Sequence, residues 1–442
     1  MLTKQDNEML TRVGPGTLLG DLMRQYWVPA LLSTEVPVPD SPPVRLRVLG
    51  EDLIGFRMTS GKAGIIQNSC PHRGASLFFG RNEDEGLRCV YHGWKFDGTG
   101  ACVDMPSEPA ESNFKSKVKA RAYPTEERNG VIWTYMGPRE VPPSLPGYEF
   151  NQTEGGHAVK FLRECSWLQS FEGDLDTTHI GFLHFGAYKA EDVEPGSMDY
   201  YALKRRDPKM MVVDTEFGAT YGSYRPAEED TTYWRIAQYL FPFYAMPPTG
   251  VLGTRKGVIA IVPVDDTHSM RWQISGPSEG PRAFGAIGPA YTPHPDAGYL
   301  PDESGFLGRF RLKQNKSNDY WLDREFQRSG KSYTGIMGIG NQDQAVVESM
   351  GPVVDRTQEH LATSDLMVIR LRRLLLKAAR ELREHGTVPS GVENPEVYYG
   401  VRSGGIVLPD GIDGVAATHD LQRGRVAREA IEVAPMVANN GV

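Results

Sequence analysis

Two short stretches of this sequence carry metal-ligand side chains at a repeated spacing. Ser69-Cys70-Pro71-His72-Arg73-Gly74 offers Cys-x-His, and Leu87-Arg88-Cys89-Val90-Tyr91-His92-Gly93-Trp94 offers Cys-x-x-His, with sixteen residues between His72 and Cys89. Each stretch supplies one thiolate and one imidazole from a glycine-bearing loop, so the two loops can close on a metal centre from opposite sides. A tetrahedral Cys₂His₂ zinc site uses the same donor types. Zinc sites of that kind, however, present a Cys pair and a His pair, whereas mixed pairs suit a [2Fe–2S] cluster with both thiolates on one iron and both imidazoles on the other. Exchanging two thiolates for neutral imidazoles raises the reduction potential. Tyr91, Trp94 and Phe96 flank the motif as apolar shielding. Cys102 and Cys165 have no matching His and read as buried core residues.

A second constellation follows downstream, in Glu172-Gly-Asp174-Leu-Asp176-Thr-Thr-His179-Ile-Gly-Phe-Leu-His184. Two histidines five apart, preceded by carboxylates, fall on or beside one helix. With a third, distant carboxylate they make a 2-His-1-carboxylate triad, which holds Fe(II) on one face and leaves the other positions open for dioxygen and substrate. The spacing alone also suits a purely structural His pair.

The surrounding elements must bring these groups together. Thr3 to Arg12 and Thr17 to Tyr26 read as two short helices broken by Gly14-Pro15-Gly16, with Thr17 as N-cap of the second. From Val28 to about Gly137, short apolar or alternating runs between Gly, Asn and Asp predict a small antiparallel sandwich or barrel. Gly137 to Gly147 is Pro-rich and reads as a linker. Beyond it, strands are predicted at Ala158–Leu162, Met210–Thr215, Thr231–Leu240, Gly257–Val264 and Met270–Ser275. A helix is predicted from about Leu168 into the His179 region, and another over Asp365–Glu384. The latter has an apolar stripe of Leu371, Leu375, Ala378 and Leu382 and a stop at Gly386.

Composition bounds the function. The chain has 442 residues, enough for a large core without disulfide staples. Lys and Arg total 48 against 56 Asp and Glu, a net charge of −8, and no basic footprint for nucleic acid exists. No apolar run reaches the length of a membrane span. The opening residues carry no basic-then-apolar leader. A cytoplasmic protein with no nucleic-acid or membrane partner is expected.

The motifs resemble those of the Rieske non-heme iron oxygenases: Cys70-Pro-His72-Arg-Gly, Cys89-Val-Tyr-His92-Gly-Trp and Asp176-Thr-Thr-His179-Ile-Gly-Phe-Leu-His184. Asn7-Glu-Met-Leu-Thr-Arg-Val-Gly-Pro-Gly-Thr and Asn341-Gln-Asp343-Gln-Ala-Val-Val-Glu-Ser-Met-Gly-Pro are similar to the phthalate-dioxygenase-like branch of their alpha (terminal oxygenase) components. The likeness runs from about residue 6 to 405. It implies an α+β fold, with a Rieske β-sandwich domain at 27–140 and a helix-grip-like catalytic domain at 141–442, an antiparallel sheet with helices. Residues 1–26 then form helices that pack with the catalytic domain. The resemblance implies Cys70, His72, Cys89 and His92 as ligands of a [2Fe–2S] cluster and His179, His184 and Asp343 as ligands of one mononuclear Fe(II). Glu348 is the competitor of Asp343. Asp176 matches the family's bridging carboxylate, which joins a cluster His of one subunit to an iron-ligating His of its neighbour. Glu172 stands where many members carry Asn.

The implied activity is O₂-dependent hydroxylation of an aromatic substrate, as ring hydroxylation or oxidative O- or N-dealkylation. The rival functions are a Rieske electron carrier without oxygenase activity and a zinc-binding structural protein. Gly335-Ile-Met-Gly338-Ile-Gly340 has the wrong order for a dinucleotide fingerprint. NAD(P)H oxidation therefore falls to a separate reductase with flavin and [2Fe–2S] centres, with or without a ferredoxin. A homotrimer, or a hexamer of two stacked trimers, is implied. Candidate pocket residues are Phe171, Phe182, Phe185, Leu240, Phe243 and Met246, with Phe241 and Tyr244 beside them. Lys204, Arg205, Arg206 and Arg235 are expected to be solvated, which favours a bulkier or less charged aromatic, including methoxy and N-alkyl aromatics, over phthalate.

Overall fold

The fold is given by a computed structural model, which describes residues 2–109, 111–152, 155–254, 256–277 and 290–426. Thr3 and Thr17 cap the two N-terminal helices, Lys4–Thr11 and Leu18–Met23, each accepting the amide N–H three residues on, from Asp6 and Gly20. Leu10, Leu19, Leu22 and Met23 bury against the long helix Leu366–His385, whose Leu371 and Leu375 are fully buried and whose Ala378 and Leu382 are partly so. That helix stops at Gly386, which takes the left-handed conformation (φ 67°) that glycine adopts without strain.

The larger half is an eight-stranded antiparallel sheet. Its order is His157–Arg163, Ser269–Ser275, Gly257–Pro263, Tyr244–Met246, Thr231–Leu240, Gly218–Pro226, Lys209–Thr215. Gly404–Pro409 pairs with Thr231–Ile236 on the edge that Tyr244–Met246 shares farther along the same strand. From Tyr233 onward Thr231–Leu240 is buried at every position, as a strand covered on both faces must be. The strands Gly218–Pro226 and Gly404–Pro409 were not among those expected. Their Gly-rich sequences lack a β-branched alternation, and the sheet forms there through partners far away in the chain. Gly404 is needed on steric grounds: a Cβ there would lie 2.5 Å from the Leu252 backbone.

Two four-stranded sheets build the smaller half. Val44–Val48, Glu51–Arg57, Ala63–Gln67 and Ala122–Tyr123 form one; Arg81–Glu83, Gly86–Arg88, Lys95–Phe96 and Cys102–Asp104 form the other. Between them lies a separate core of Ile54, Phe56, Ile66, Leu77, Leu87 and Phe96, which also takes in Cys70, Cys89 and Cys102. The three-stranded sheet of Trp27–Leu32, Val131–Tyr135 and Thr125–Arg128 belongs instead to the main core. The halves are joined by Leu49 and Gly50, whose N–H groups donate to Pro263 and Val264 (both 2.9 Å), and by buried Glu35, which pairs with Lys160 and Arg309. The Lys160 ammonium sits over the rings of Trp272 and Phe310, 4.6 and 4.5 Å from their centres. Among the described residues no helix is long and apolar enough to cross a membrane.

Candidate metal centres

The Cys70 and Cys89 loops are built alike. In each, the glycine four residues after the cysteine, Gly74 or Gly93, has φ of 77° and donates its N–H back to the cysteine carbonyl. The cysteine N–H in turn donates across the loop, Cys70 to Ala75 and Cys89 to Trp94. The tight turn buries each thiol and leaves its histidine half-exposed at the tip. His72 and His92 face each other with ring centres 4.4 Å apart, and Trp94 stacks on His72 at 4.3 Å and 15°. Tyr91 lies 3.9 Å from His92, and Phe96 is buried in the core beneath. Cys102 and Cys165 are buried, as expected.

The donor arrangement fits a two-iron cluster better than a single ion. Among the described residues, His179, His184 and Asp343 form the one group of three or more candidate ligands whose donor atoms all lie within 4.8 Å of one another. In the loops, the Cys70 and Cys89 thiols interact with each other and the His72 and His92 rings pair with each other, a split that suits two irons. His92 keeps a buried Nδ1 without any hydrogen-bond partner, the kind of orphan atom a metal satisfies. Burial, then His72 and Arg73, lower the His92 pKa and favour the neutral imidazole that ligation requires. Burial pushes the Cys70 thiol up to about 11; the N–H groups of His72 and Arg73 pull it back, and so favour a thiolate.

The second centre is assembled from three places in the chain. The helix Trp167–Leu175 ends at Asp176, three residues short of His179, so it does not run into the His179 region as expected, and the histidines lie beside it. The reason is local. Asp176 Oδ1 accepts from the N–H and hydroxyl of Thr178 (both 2.7 Å), and Oδ2 accepts from the His179 N–H (3.1 Å). An aspartate that binds its own downstream backbone, followed by two β-branched threonines, ends a helix. His179 opens a 3₁₀ turn, His179–Gly181, and His184 follows in the next turn. Arg206 donates to the carbonyls of Gly181 (2.6 Å), Phe185 (3.3 Å) and Tyr188 (2.6 Å), tying down the loop that carries His184.

Asp343 comes from the helix Ile339–Ser349. Its Oδ1 lies 3.1 Å from His184 Nε2 and 3.6 Å from His179 Nε2, and the two Nε2 atoms are 3.2 Å apart. Donors about 2.1 Å from a shared metal are separated by roughly 3.0–3.4 Å, so this triangle fits an ion. Glu348 is turned about 140° around the same helix. It is buried elsewhere, accepting from Glu164 N–H, Gln344 and Tyr320.

Both imidazoles are held by Nδ1, which leaves each Nε2 for the centre. Asp176 Oδ2 is 3.3 Å from His179 Nδ1, and Gln342 Oε1 is 2.8 Å from His184 Nδ1. Burial opposes ionisation of Asp343, yet His184, His179 and Arg163 hold it well below the usual carboxylate range. Asp176 is likewise lowered, to about 2, since His179 and Thr178 outweigh its burial. Burial also opposes protonation of His179, but Asp176 and Asp343 raise its pKa. The result is an anionic pocket that attracts a cation.

Glu172, one turn before Asp176, is tied by Arg356 (3.0 Å) and Arg372 (2.6 Å), and Arg372 reaches on to Glu359. Arg372, on the long helix, thereby anchors the helix that ends in Asp176. Glu172→Gln is expected to destabilise the protein by about 3 kcal/mol, because Arg356, fully buried, loses its nearer carboxylate and keeps only Glu359 at 3.9 Å. A thermal melt monitored by circular dichroism checks this, with an unchanged midpoint as the contrary result.

Of the expected pocket residues, Phe171, Leu240, Phe243 and Met246, with Phe241 and Tyr244, are buried in the main core, the first four at 2% exposure or less. Phe185 stacks on Tyr291 in a small separate cluster, and Phe182 is exposed near Tyr333. The aromatic run at Tyr239–Met246 has the apolar character of a pocket wall and of a core alike, and the sheet uses it as core. Arg235 is the opposite correction. It is 1% exposed, its Nε donates to Thr177 Oγ1 (3.2 Å), and both terminal nitrogens are buried without partners. Arg205 is exposed and pairs with Asp207, while Lys204 is partly exposed.

Two protein-family profiles match. Residues 26–124 match the Rieske [2Fe-2S] domain and residues 134–415 match the LigXa C-terminal domain like family. The 3-chlorobenzoate-3,4-dioxygenase oxygenase subunit of Comamonas testosteroni is 44% identical over 421 residues, 93% of this chain and 97% of that one. The phthalate 4,5-dioxygenase oxygenase subunit of Pseudomonas putida is 38% identical over 395 residues, 86% of each chain. Dicamba monooxygenase bound to dicamba, at 18% identity, has the same fold, with a TM-score of 0.54 over 82% of this chain and 98% of that one.

Proposed function

The chain belongs to the phthalate-dioxygenase-like branch of the Rieske oxygenase alpha subunits, and from that premise we propose that it hydroxylates an aromatic carboxylate of the benzoate type, gripped by Arg235. As an oxygenase subunit it works with separate electron-supplying components. When bound, the cluster supplies single electrons and the mononuclear iron supplies the place where dioxygen is reduced beside the substrate. The chain's own residues do the rest. Cys70, His72, Cys89 and His92 hold the cluster. His179, His184 and Asp343 hold the iron on one face, and Asp176 and Gln342 orient the two imidazoles.

The observation that carries the substrate class is Arg235. A buried guanidinium with two unpartnered nitrogens leaves strong donors unsatisfied, a cost that a substrate carboxylate removes through a bidentate pair. Its Nε donates to Thr177, the residue that follows Asp176 in the chain. Arg225, also buried, faces it from the neighbouring strand, and neither has an ion-pair partner among the described residues. The names of the two relatives, both dioxygenases of benzoate-type acids, agree with this reading. Loss of a buried charged partner costs roughly 2–5 kcal/mol, about 30- to 5,000-fold. Arg235→Met is therefore expected to raise KM for 3-chlorobenzoate and phthalate by that factor, with KM for the methyl esters little changed. Equal KM values for the acids in both proteins would falsify the assignment.

A head-to-tail trimer completes the electron path. The cluster histidines and Asp176 are both partly open on one subunit, and among the described residues no hydrogen bond, ring contact or ion pair joins the two sites within one chain. Asp176 already accepts from His179 and has room to accept the N–H of His72 or His92 from a neighbour. Sedimentation of the loaded protein checks the trimer.

A further inference from the structure

The two imidazoles of the mononuclear site are not held alike. His179 is backed by the Asp176 carboxylate, but His184 is backed by the neutral amide of Gln342. Gln342 is 1% exposed, and all its polar atoms are used. Its Nε2 donates to the carbonyls of Ile336 (2.9 Å) and Ala290 (3.2 Å). Carbonyl oxygens only accept, so the amide nitrogen must face them, and Oε1 must face His184. The orientation of the amide is thus fixed by groups that do not belong to the site. It follows that His184 Nδ1 carries the proton and donates, and that Nε2 keeps a free lone pair aimed at His179 Nε2 and Asp343 Oδ1.

We propose that Gln342 is a positioning residue that sets the tautomer and basicity of His184 and so tunes the affinity of the mononuclear site; this rests on the reading of His179, His184 and Asp343 as its ligands. Gln342 immediately precedes Asp343 on the helix Ile339–Ser349, so one turn of helix delivers both a candidate ligand and the group that orients another. A carboxylate at this position would make both imidazoles strongly basic. The amide leaves one strong and one weaker donor, with the negative charge kept on the Asp176 side, where the neighbouring subunit's cluster is expected to approach. A partner that orients a ligating imidazole is worth roughly 10- to 100-fold in metal affinity.

Two variants separate this role from simple packing. Gln342→Leu removes the acceptor for His184 and both donors to Ile336 and Ala290. Gln342→Glu also removes those donors but keeps an acceptor for His184 Nδ1. Protein carrying its [2Fe–2S] cluster, stripped of mononuclear iron by mild chelation, is titrated with Co(II). The difference spectrum against the cluster background reports the site directly, without turnover. Gln342→Leu is expected to weaken Co(II) binding roughly 10- to 100-fold, while Gln342→Glu, which keeps the acceptor and adds charge, binds at least as tightly as the parent. Equal losses in both variants, or no loss in Gln342→Leu, overturn the proposal. If Gln342→Leu does not fold with its cluster, Gln342→Glu decides alone: retained affinity supports the acceptor role and lost affinity refutes it. His184→Ala provides the separate control. A parent whose Co(II) spectrum is unaffected by that change has its metal elsewhere, and then the ligand assignment fails rather than the role of Gln342.

Discussion

Asp176→Asn is expected to leave both metal centres loaded and yet slow turnover by roughly 100-fold, a size typical of losing the partner of a ligating imidazole. Asp176 is ionised at any working pH, since His179 and Thr178 hold its pKa at about 2. Its Oδ2 takes the His179 Nδ1 side and its Oδ1 takes Thr178, while the carboxyl remains partly open to a neighbour. Asparagine can keep its one oxygen on His179 and turn its amide to Thr178 Oγ1, which accepts as readily as it donates, giving up only the bond from the Thr178 N–H. The mononuclear site therefore stays filled. What is lost is the charge and the second acceptor that would hold an imidazole N–H from the next subunit. The competing role, capping of the turn that begins at His179, predicts about 1 kcal/mol of stability at most and little change in rate, because Asn caps nearly as well as Asp. Rapid mixing of the reduced variant with substrate and O₂ separates the two. Cluster reoxidation at the parental rate would show that Asp176 is no bridge.

Asp343→Asn has an equally large expected effect, of a different kind. The variant should retain the red-brown colour and the two acid-labile sulfides of a cluster, while iron falls from about three to about two per chain and product formation disappears. The reason is electrostatic as well as geometric. Among the described residues, Asp343 is the one carboxylate whose oxygen lies within 3.6 Å of both Nε2 atoms, and its charge, held in place by His184, His179 and Arg163, is the anionic side of the triangle. Glu348→Gln provides the contrast. Its carboxylate is committed to Glu164, Gln344 and Tyr320, so iron content should stay near three per chain, with a loss of stability only. Iron retained in Asp343→Asn and lost in Glu348→Gln would reverse the assignment.

The chemistry of the cluster site was legible in the chain because it is local. Each loop encloses its own cysteine, histidine and left-handed glycine within five residues, and a turn that short has one way to close. The His179–His184 pair was legible for the same reason, although its backbone was not. A helix running on through His179 is what apolar periodicity suggests, and it ignores an aspartate and two threonines whose side chains compete for the backbone. The helices at both ends were placed within a few residues by their caps, Thr3, Thr17 and Gly386.

The sequence by itself determined where the cysteines, histidines and carboxylates of the two constellations lie and which metal chemistry they suit. Those follow from residue types at fixed short spacings, where covalent geometry leaves little freedom. Only the tertiary structure decided which carboxylate joins His179 and His184, because Asp343 and Glu348 share one helix and differ only in the face they present. It alone showed that Arg235 is buried with both terminal nitrogens unpartnered and that Leu240, Phe243 and Met246 are buried in the core: both outcomes depend on strand pairings between residues far apart, and on what covers each face of the sheet. The same applies to Gln342, Arg206 and Glu172. Their hydrogen bonds reach across 158, 25 and 184 residues of chain, and no periodicity in a linear sequence encodes which distant groups a compact core brings together.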